Sequence, residues 1–229
     1  MAIPLLLGHR GLRSPKLAPE NTFAAFDLCI EHGCDGFEFD VRLTGSGSAI
    51  VCHDPRVGSI TVAKANKRQL KSLPRLQDVL AGYGQRVFLD IELKVPGLES
   101  QLLTALRDQP PSRDYVVSSF IPEIIMELAA RSGNIPIGII CKKRTELDRW
   151  PTLPVDYVIV HHSLIKPKLV EKVHSARRKI IVWTVNDTRS MRNLADLEVD
   201  AIISDNTKLL VSTLKPSAKS LVKVRAANR

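Results

Sequence analysis

Residues 36–41 read Gly-Phe-Glu-Phe-Asp-Val, so Phe37, Phe39 and Val41 alternate with Glu38 and Asp40. A period of two belongs to a β-strand with its apolar side chains on one face and both carboxylates on the other. An exposed antiparallel strand would simply solvate the two acids. In a buried parallel sheet they would repel each other across a low-dielectric interior, and a cation between them would relieve the repulsion. The neighbouring segments decide between these readings.

On the N-terminal side, Ile3 to Leu7 is a short apolar run, a buried strand that delivers Gly8-His9-Arg10-Gly11 at its end. Pro19-Glu20-Asn21-Thr22 marks a helix start, with Asn21 or Thr22 as the cap. Phe23, Phe26 and Ile30 form its apolar stripe as far as the stop at Gly33. On the other side, the Gly45-Ser46-Gly47 turn leads to a second strand, Ala49 to Cys52, ended by His53-Asp54-Pro55. Arg56 to Lys71 is basic and poorly patterned, and is expected to run over the surface. A short helix begun by Pro74 is expected over Leu73 to Leu80, then a strand over Val87 to Leu93 with Asp90, Glu92 and Lys94 on one face. Further strands begin near Tyr115, Ile135, Tyr157, Ile180 and Ala201. Helices are expected over Leu98–Leu106, Pro122–Ala130, Pro167–Arg177, Met191–Leu197 and Thr207–Leu214. With Leu5, Phe37 and Val87 this makes eight strand starts, mostly alternating with helices. Such a count over about 210 residues predicts an α/β fold, a single-domain (β/α)8 TIM barrel spanning residues 1–214.

The 229 residues are 44% apolar and 25% charged, an ordinary globular balance. The net charge of +9 is partly a terminal effect: Lys215, Lys219, Lys223, Arg225 and Arg229 lie in a stretch without acids, and removing them leaves +4. Residues 215–229 therefore read as a basic, disordered tail with at most a weak attraction to anionic surfaces. No nucleic-acid partner is expected. MAIPLLLGHR has no charged leader, and no segment approaches membrane-spanning length. A soluble, cytoplasmic protein without stable membrane insertion follows. Cys29, Cys34, Cys52 and Cys141 show no CxxC spacing, which argues against a disulfide scaffold or a zinc site.

In such a barrel the active site lies at the C-terminal ends of the strands. The polar residues there are His9, Arg10, Glu38, Asp40, His53, Asp54, Glu92, Lys94, Ser118, Ser119, Trp183 and Asn186. This is more ionisable material than stability requires, because each buried charge must be paired or ligated. Glu38, Asp40 and Glu92 offer hard anionic oxygens with no matching cysteine, a set for one divalent cation, Mg2+ or Ca2+. Arg10 offers a planar fork and Lys94 a point charge for a phosphate. His9 and His53 can act as acid and base at neutral pH. Asp54 reads as a turn cap that also fixes the His53 ring. Glu20 either caps its helix or pairs with Arg10, and Trp183 is either barrel core or substrate wall. His32, His161, His162 and His174 read as structural. Ser118 and Ser119 have no acid or histidine at the spacing of a serine nucleophile.

HRG at His9 to Gly11, PENT at Pro19 to Thr22, GFEFDV at Gly36 to Val41 and HD at His53-Asp54 occur in order with four later motifs. These are ELK at Glu92 to Lys94, SSF at Ser118 to Phe120, VWTVN at Val182 to Asn186 and DAIISD at Asp200 to Asp205. Together, from about Leu5 to Leu210, they resemble the glycerophosphodiester phosphodiesterase family. The resemblance implies a barrel that hydrolyses small-molecule phosphodiesters such as deacylated phospholipids to glycerol 3-phosphate and an alcohol. It also implies His9 and His53 as acid and base, Glu38, Asp40 and Glu92 as cation ligands, and Arg10 and Lys94 on the phosphate. The segment between His53 and Glu92 is shorter than the family's, which predicts a more open mouth. Two other readings compete: a phospholipase D acting on lysophospholipids or sphingomyelin, and a phosphate-binding barrel without turnover.

Overall fold

The structure, a computed structural model, describes residues 3–66 and 68–215. In chain order its elements are β1 (Leu5–Gly8), α1 (Phe23–Glu31), β2 (Gly36–Leu43), β3 (Ala49–Val51), β4 (Arg56–Val57), β5 (Ile60–Thr61) and α2 (Leu76–Tyr83). There follow β6 (Phe88–Leu93), α3 (Glu99–Asp108), β7 (Tyr115–Ser119), α4 (Pro122–Arg131), β8 (Ile137–Cys141) and α5 (Arg144–Leu147). The last are β9 (Tyr157–His161), α6 (Pro167–Ser175), β10 (Lys179–Trp183), α7 (Thr188–Asp196), β11 (Ala201–Ser204) and α8 (Thr207–Leu214).

β1 pairs in parallel with both β2 and β11. The parallel pairing continues from β2 through β6, β7, β8, β9 and β10 to β11. Eight parallel strands therefore close on themselves as a TIM barrel. Phe37, Phe39 and Val41 face the helices and are fully buried. Phe26 of α1 stacks on Phe37 with ring centroids 4.2 Å apart, and Tyr83 of α2 meets Phe37 edge-on at 5.1 Å. Inside the barrel, Leu7, Phe88, Val116, Tyr157, Ile181 and Ile203 belong to a second apolar cluster. With both faces of the sheet covered, Glu38 and Asp40 have no solvent side: they are 4% and 1% exposed. Gly36 permits close approach of β2 and β6, since a Cβ there would lie 1.9 Å from the Phe88 carbonyl oxygen.

Local departures from the sequence reading have physical causes. The helix expected from Leu73 begins at Leu76, because the Pro74 carbonyl accepts from Val51 N–H at 2.8 Å and ties that residue to β3 instead. The stretch from Arg56 to Lys71, expected to run over the surface, contributes more than a surface excursion. β4 and β5 make a hairpin, and Val62, Ala65 and Leu70 pack with Ile50 and Cys52 as a small satellite core. Lys215, where the basic tail was expected to begin, donates from Nζ to the Gly33 carbonyl and to Asp35, both at 2.7 Å. The rest of that expected tail lies outside the described residues. Among the described residues no helix is long and apolar enough to cross a membrane.

Candidate active site

β2 outruns the barrel, and its last residues pair antiparallel with β3. The chain then turns back over the mouth: Cys52 N–H donates to the Asp40 carbonyl at 3.0 Å, and Arg42 Nε to the His53 carbonyl at 2.7 Å. This return delivers His53 above the acids. In the β2–β6 register Glu38 stands opposite Asp90, and Asp40 opposite Glu92. Four carboxylates thus occupy two adjacent rungs inside the barrel. Oxygens of Glu38, Asp40 and Glu92 all lie within 4.8 Å of one another.

Two basic side chains enter this cluster. Lys94 Nζ lies 2.5 Å from Glu92 Oε1 and 3.2 Å from Asp40 Oδ1. Arg10 Nε lies 3.3 Å from Asp40 Oδ2, while its Nη1 donates to Glu20 Oε1 at 2.5 Å. Glu20 therefore pairs with Arg10, and also accepts from Arg13 Nε at 2.8 Å. Thr22 is the helix cap, accepting from Ala25 N–H. Asn21 does something else: its Nδ2 donates to Asp40 Oδ2 at 2.8 Å, and its Oδ1 accepts from the Asp40 N–H at 3.2 Å. Arg10 and Asn21 both have left-handed backbones, φ 54° and 58°. For non-glycine residues that conformation costs on the order of 1–3 kcal/mol and persists where surrounding bonds demand it. Here Arg10 N–H donates to Glu38 Oε2 at 2.8 Å, and Asn21 N–H to the Arg10 carbonyl at 3.0 Å.

His9 and His53 each have a carboxylate on Nδ1. His9 Nδ1 is 2.7 Å from Asp205 Oδ1, and His53 Nδ1 is 2.7 Å from Asp54 Oδ1. An ionised carboxylate only accepts, so Nδ1 carries the hydrogen and Nε2 is left for proton transfer. His9 Nε2 lies 3.9 Å from Glu38 Oε2. Asp205 is held in turn by Asn186 Nδ2 at 2.7 Å.

A cavity of about 290 Å³ opens here. His9, Arg10, His53 and Lys94 line it with Glu38 and Glu92, and Trp183 forms part of its wall. Asp40 does not line it but sits behind, within the acid cluster. Trp183 meets Phe120 edge-to-face at 5.6 Å and His161 at 5.2 Å. Of the remaining histidines, His32 bonds to Thr207, His161 to Ser163 and His174 to Asp200, and the His162 ring lies 4.4 Å from that of His161. Ser118 donates to Asp90 and Ser119 to the Leu93 carbonyl, so neither hydroxyl is paired with an imidazole.

Burial raises the Glu38 carboxyl well above its usual range, with Asp40, Glu92 and Asp90 adding repulsion. Glu92 is pushed up to about 7 by burial and then by Asp40. Burial also works to raise Asp40, but Lys94 and Arg10 outweigh it and hold that carboxyl low. Burial lowers His53, against the partial opposition of Asp40. The donor set fits a hard divalent cation: three carboxylates converge, and Glu38 Oε1 is buried with no hydrogen-bond partner among the described residues.

The model of the glycerophosphoryl diester phosphodiesterase family matches residues 9–101 and 95–209. The chain is 28% identical to a glycerophosphodiester phosphodiesterase of Caldanaerobacter subterraneus over 239 residues, covering 92% of this chain and 98% of that protein. Among solved structures, an Oleispira antarctica phosphodiesterase in complex with the product sn-glycerol-3-phosphate superposes with a TM-score of 0.82 at 24% identity, over 93% of this chain and 98% of that one. A glycerophosphodiester phosphodiesterase from Agrobacterium tumefaciens gives 0.80 at 24% identity, over 92% and 99%. At these identities the solved structures establish the shared fold.

Proposed function

The chain belongs to the glycerophosphoryl diester phosphodiesterase family, and we propose that it hydrolyses glycerophosphodiesters to glycerol 3-phosphate and an alcohol, with His9 and His53 moving the protons. The observation that carries this reading is the convergence on one cavity of two imidazoles, each with a carboxylate on Nδ1, and of a three-acid cluster that reaches it through Glu38 and Glu92.

Glu38, Asp40 and Glu92 would hold one divalent cation, Mg2+ or Ca2+. Such an ion, when bound, supplies Lewis-acid polarisation of a non-bridging phosphate oxygen and neutralises developing charge. Arg10 and Lys94 bind the phosphate and orient phosphorus toward the histidines. One imidazole takes the proton of the attacking oxygen through Nε2, either of water directly or of the substrate's own glycerol hydroxyl, which gives a cyclic phosphate that water then opens to glycerol 3-phosphate. The other gives its Nε2 proton to the oxygen of the departing alcohol. Asp205 and Asp54 keep Nδ1 protonated and the rings in place, as positioning residues. Asn21 holds Asp40 against the pull of Arg10 and Lys94.

Steady-state hydrolysis of glycerophosphocholine tests the reading. Activity is expected with Mg2+ or Ca2+, to fall to background with a chelator, and to drop by at least about a hundredfold in His53→Ala, in line with the loss of a general acid or base. A folded His53→Ala variant with unchanged turnover would contradict it.

A further inference from the structure

Beneath the acid cluster the cavity holds polar atoms that neither cation binding nor proton transfer uses. Asp90 sits one rung deeper than Glu92 on β6, lines the cavity and is 1% exposed. Its Oδ1 accepts from Ser118 Oγ at 2.6 Å, which fixes the plane of the carboxyl. Its Oδ2 is buried without a hydrogen-bond partner among the described residues. Asp90 is also not one of the three acids whose oxygens gather within 4.8 Å. Besides its charged residues, the cavity has a hydrocarbon wall to which Ile140, Ile159 and Ile203 contribute. Trp183, at the end of β10, lines the same cavity, and its indole N–H is likewise buried without an acceptor.

Buried polar atoms are normally paired, and a site that leaves them open favours the ligand that completes them. One unpaired acceptor and one unpaired donor, on side chains that line one cavity together with three isoleucines, match a small polyol. Its carbon chain packs on the isoleucines, one hydroxyl donates to Asp90 Oδ2, and another accepts from Trp183 Nε1. We propose that Asp90, assisted by Trp183, is the specificity-determining residue that reads the free hydroxyls of the substrate's glycerol moiety. This rests on the diesterase reading and deepens it: the glycerol end enters inward and the departing alcohol faces the mouth. An acylated hydroxyl has no hydrogen to give Asp90, and an alkyl group leaves both open atoms unpaired.

The test compares two probes of equal charge and carbon count, glycerol 3-phosphate and n-propyl phosphate, bound to the whole chain in Mg2+ and followed by calorimetry. The unmodified chain should bind glycerol 3-phosphate at least about tenfold more tightly, the scale of leaving a buried polar group unpaired. Asp90→Ala should bring that ratio toward one while leaving affinity for Mg2+ alone unchanged. Equal affinity of the unmodified chain for the two probes overturns the proposal without recourse to any variant. So does an Asp90→Ala chain that keeps the preference, or that loses Mg2+ and both probes together, since Asp90 would then serve the cation. Hydrolysis of glycerophosphocholine, measured in parallel, separates the two levels. Turnover without hydroxyl preference removes the role of Asp90 alone, and absence of turnover removes the diesterase reading.

Discussion

Asp205 Oδ1 lies 2.7 Å from His9 Nδ1, joining the end of the last barrel strand to the end of the first across 196 residues of sequence. The pairing of β1 with β11 that closes the barrel also brings these two side chains together. In the proposed mechanism Asp205 acts only through His9, by holding its tautomer and ring. Asp205→Asn should therefore lower kcat by about a hundredfold or more while KM stays within a few-fold, as expected for an aspartate that orients a catalytic imidazole. Steady-state kinetics checks this, and equal damage to KM would point to a direct role in binding substrate.

The carboxylates set the pH dependence of stability. Glu92 and Asp90 are both pushed up to about 7, chiefly by burial. A carboxyl whose folded pKa is raised contributes stability that is fully present below its unfolded value, near 4, and is lost as pH rises through the folded value. Without a divalent cation, Tm should fall between about pH 4 and pH 7, and Mg2+ or Ca2+ should flatten that slope. Thermal melts with and without chelator measure it; a slope indifferent to both cations would contradict the assigned ligand set.

Glu38→Gln keeps the shape of the side chain and removes its charge. Cation affinity and rate should fall together, each by about tenfold or more, because a liganding carboxylate is replaced by a neutral amide. Calorimetric titration and kinetics on one preparation make the comparison. Full activity at low cation concentration would place the cation elsewhere.

Asn21→Ala removes both bonds to Asp40 and leaves alanine in a left-handed conformation. A loss of about 2–4 kcal/mol is expected from one charge-assisted hydrogen bond and one left-handed residue. Denaturant unfolding measures it, and Asn21→Gly should recover the backbone part.

Recognition of both glycerol hydroxyls, as proposed for Asp90 and Trp183, would also separate the substrates. Glycerophosphocholine, with two free hydroxyls, should be turned over at least about tenfold faster than lysophosphatidylcholine, with one, the scale of leaving a buried polar group unpaired. The reverse order would favour the phospholipase D reading.

Much of this was legible in the sequence. The two-residue period at Glu38 and Asp40, the recurrence of strand starts and the polar residues at strand ends are local signals, and the barrel gathers them. What was not legible depended on distant partners. Asn21 looked like one of two cap candidates, because nothing local shows that its amide reaches Asp40. Asp205 stood out only as the last residue of a motif, since its imidazole partner is at the other end of the chain. Asp90 fell on the correct face of β6, yet its open oxygen depends on how Ser118 takes the other one. The satellite core under the β4–β5 hairpin was hidden because its apolar residues are few and interleaved with lysines.

31P NMR of the products formed from glycerophosphocholine by the purified chain tests the diesterase reading. With Mg2+ or Ca2+ a single phosphorus product, glycerol 3-phosphate, is expected in amounts equal to the choline released, and none with chelator. Phosphocholine and glycerol as products, or undiminished glycerol 3-phosphate with chelator present, would contradict it.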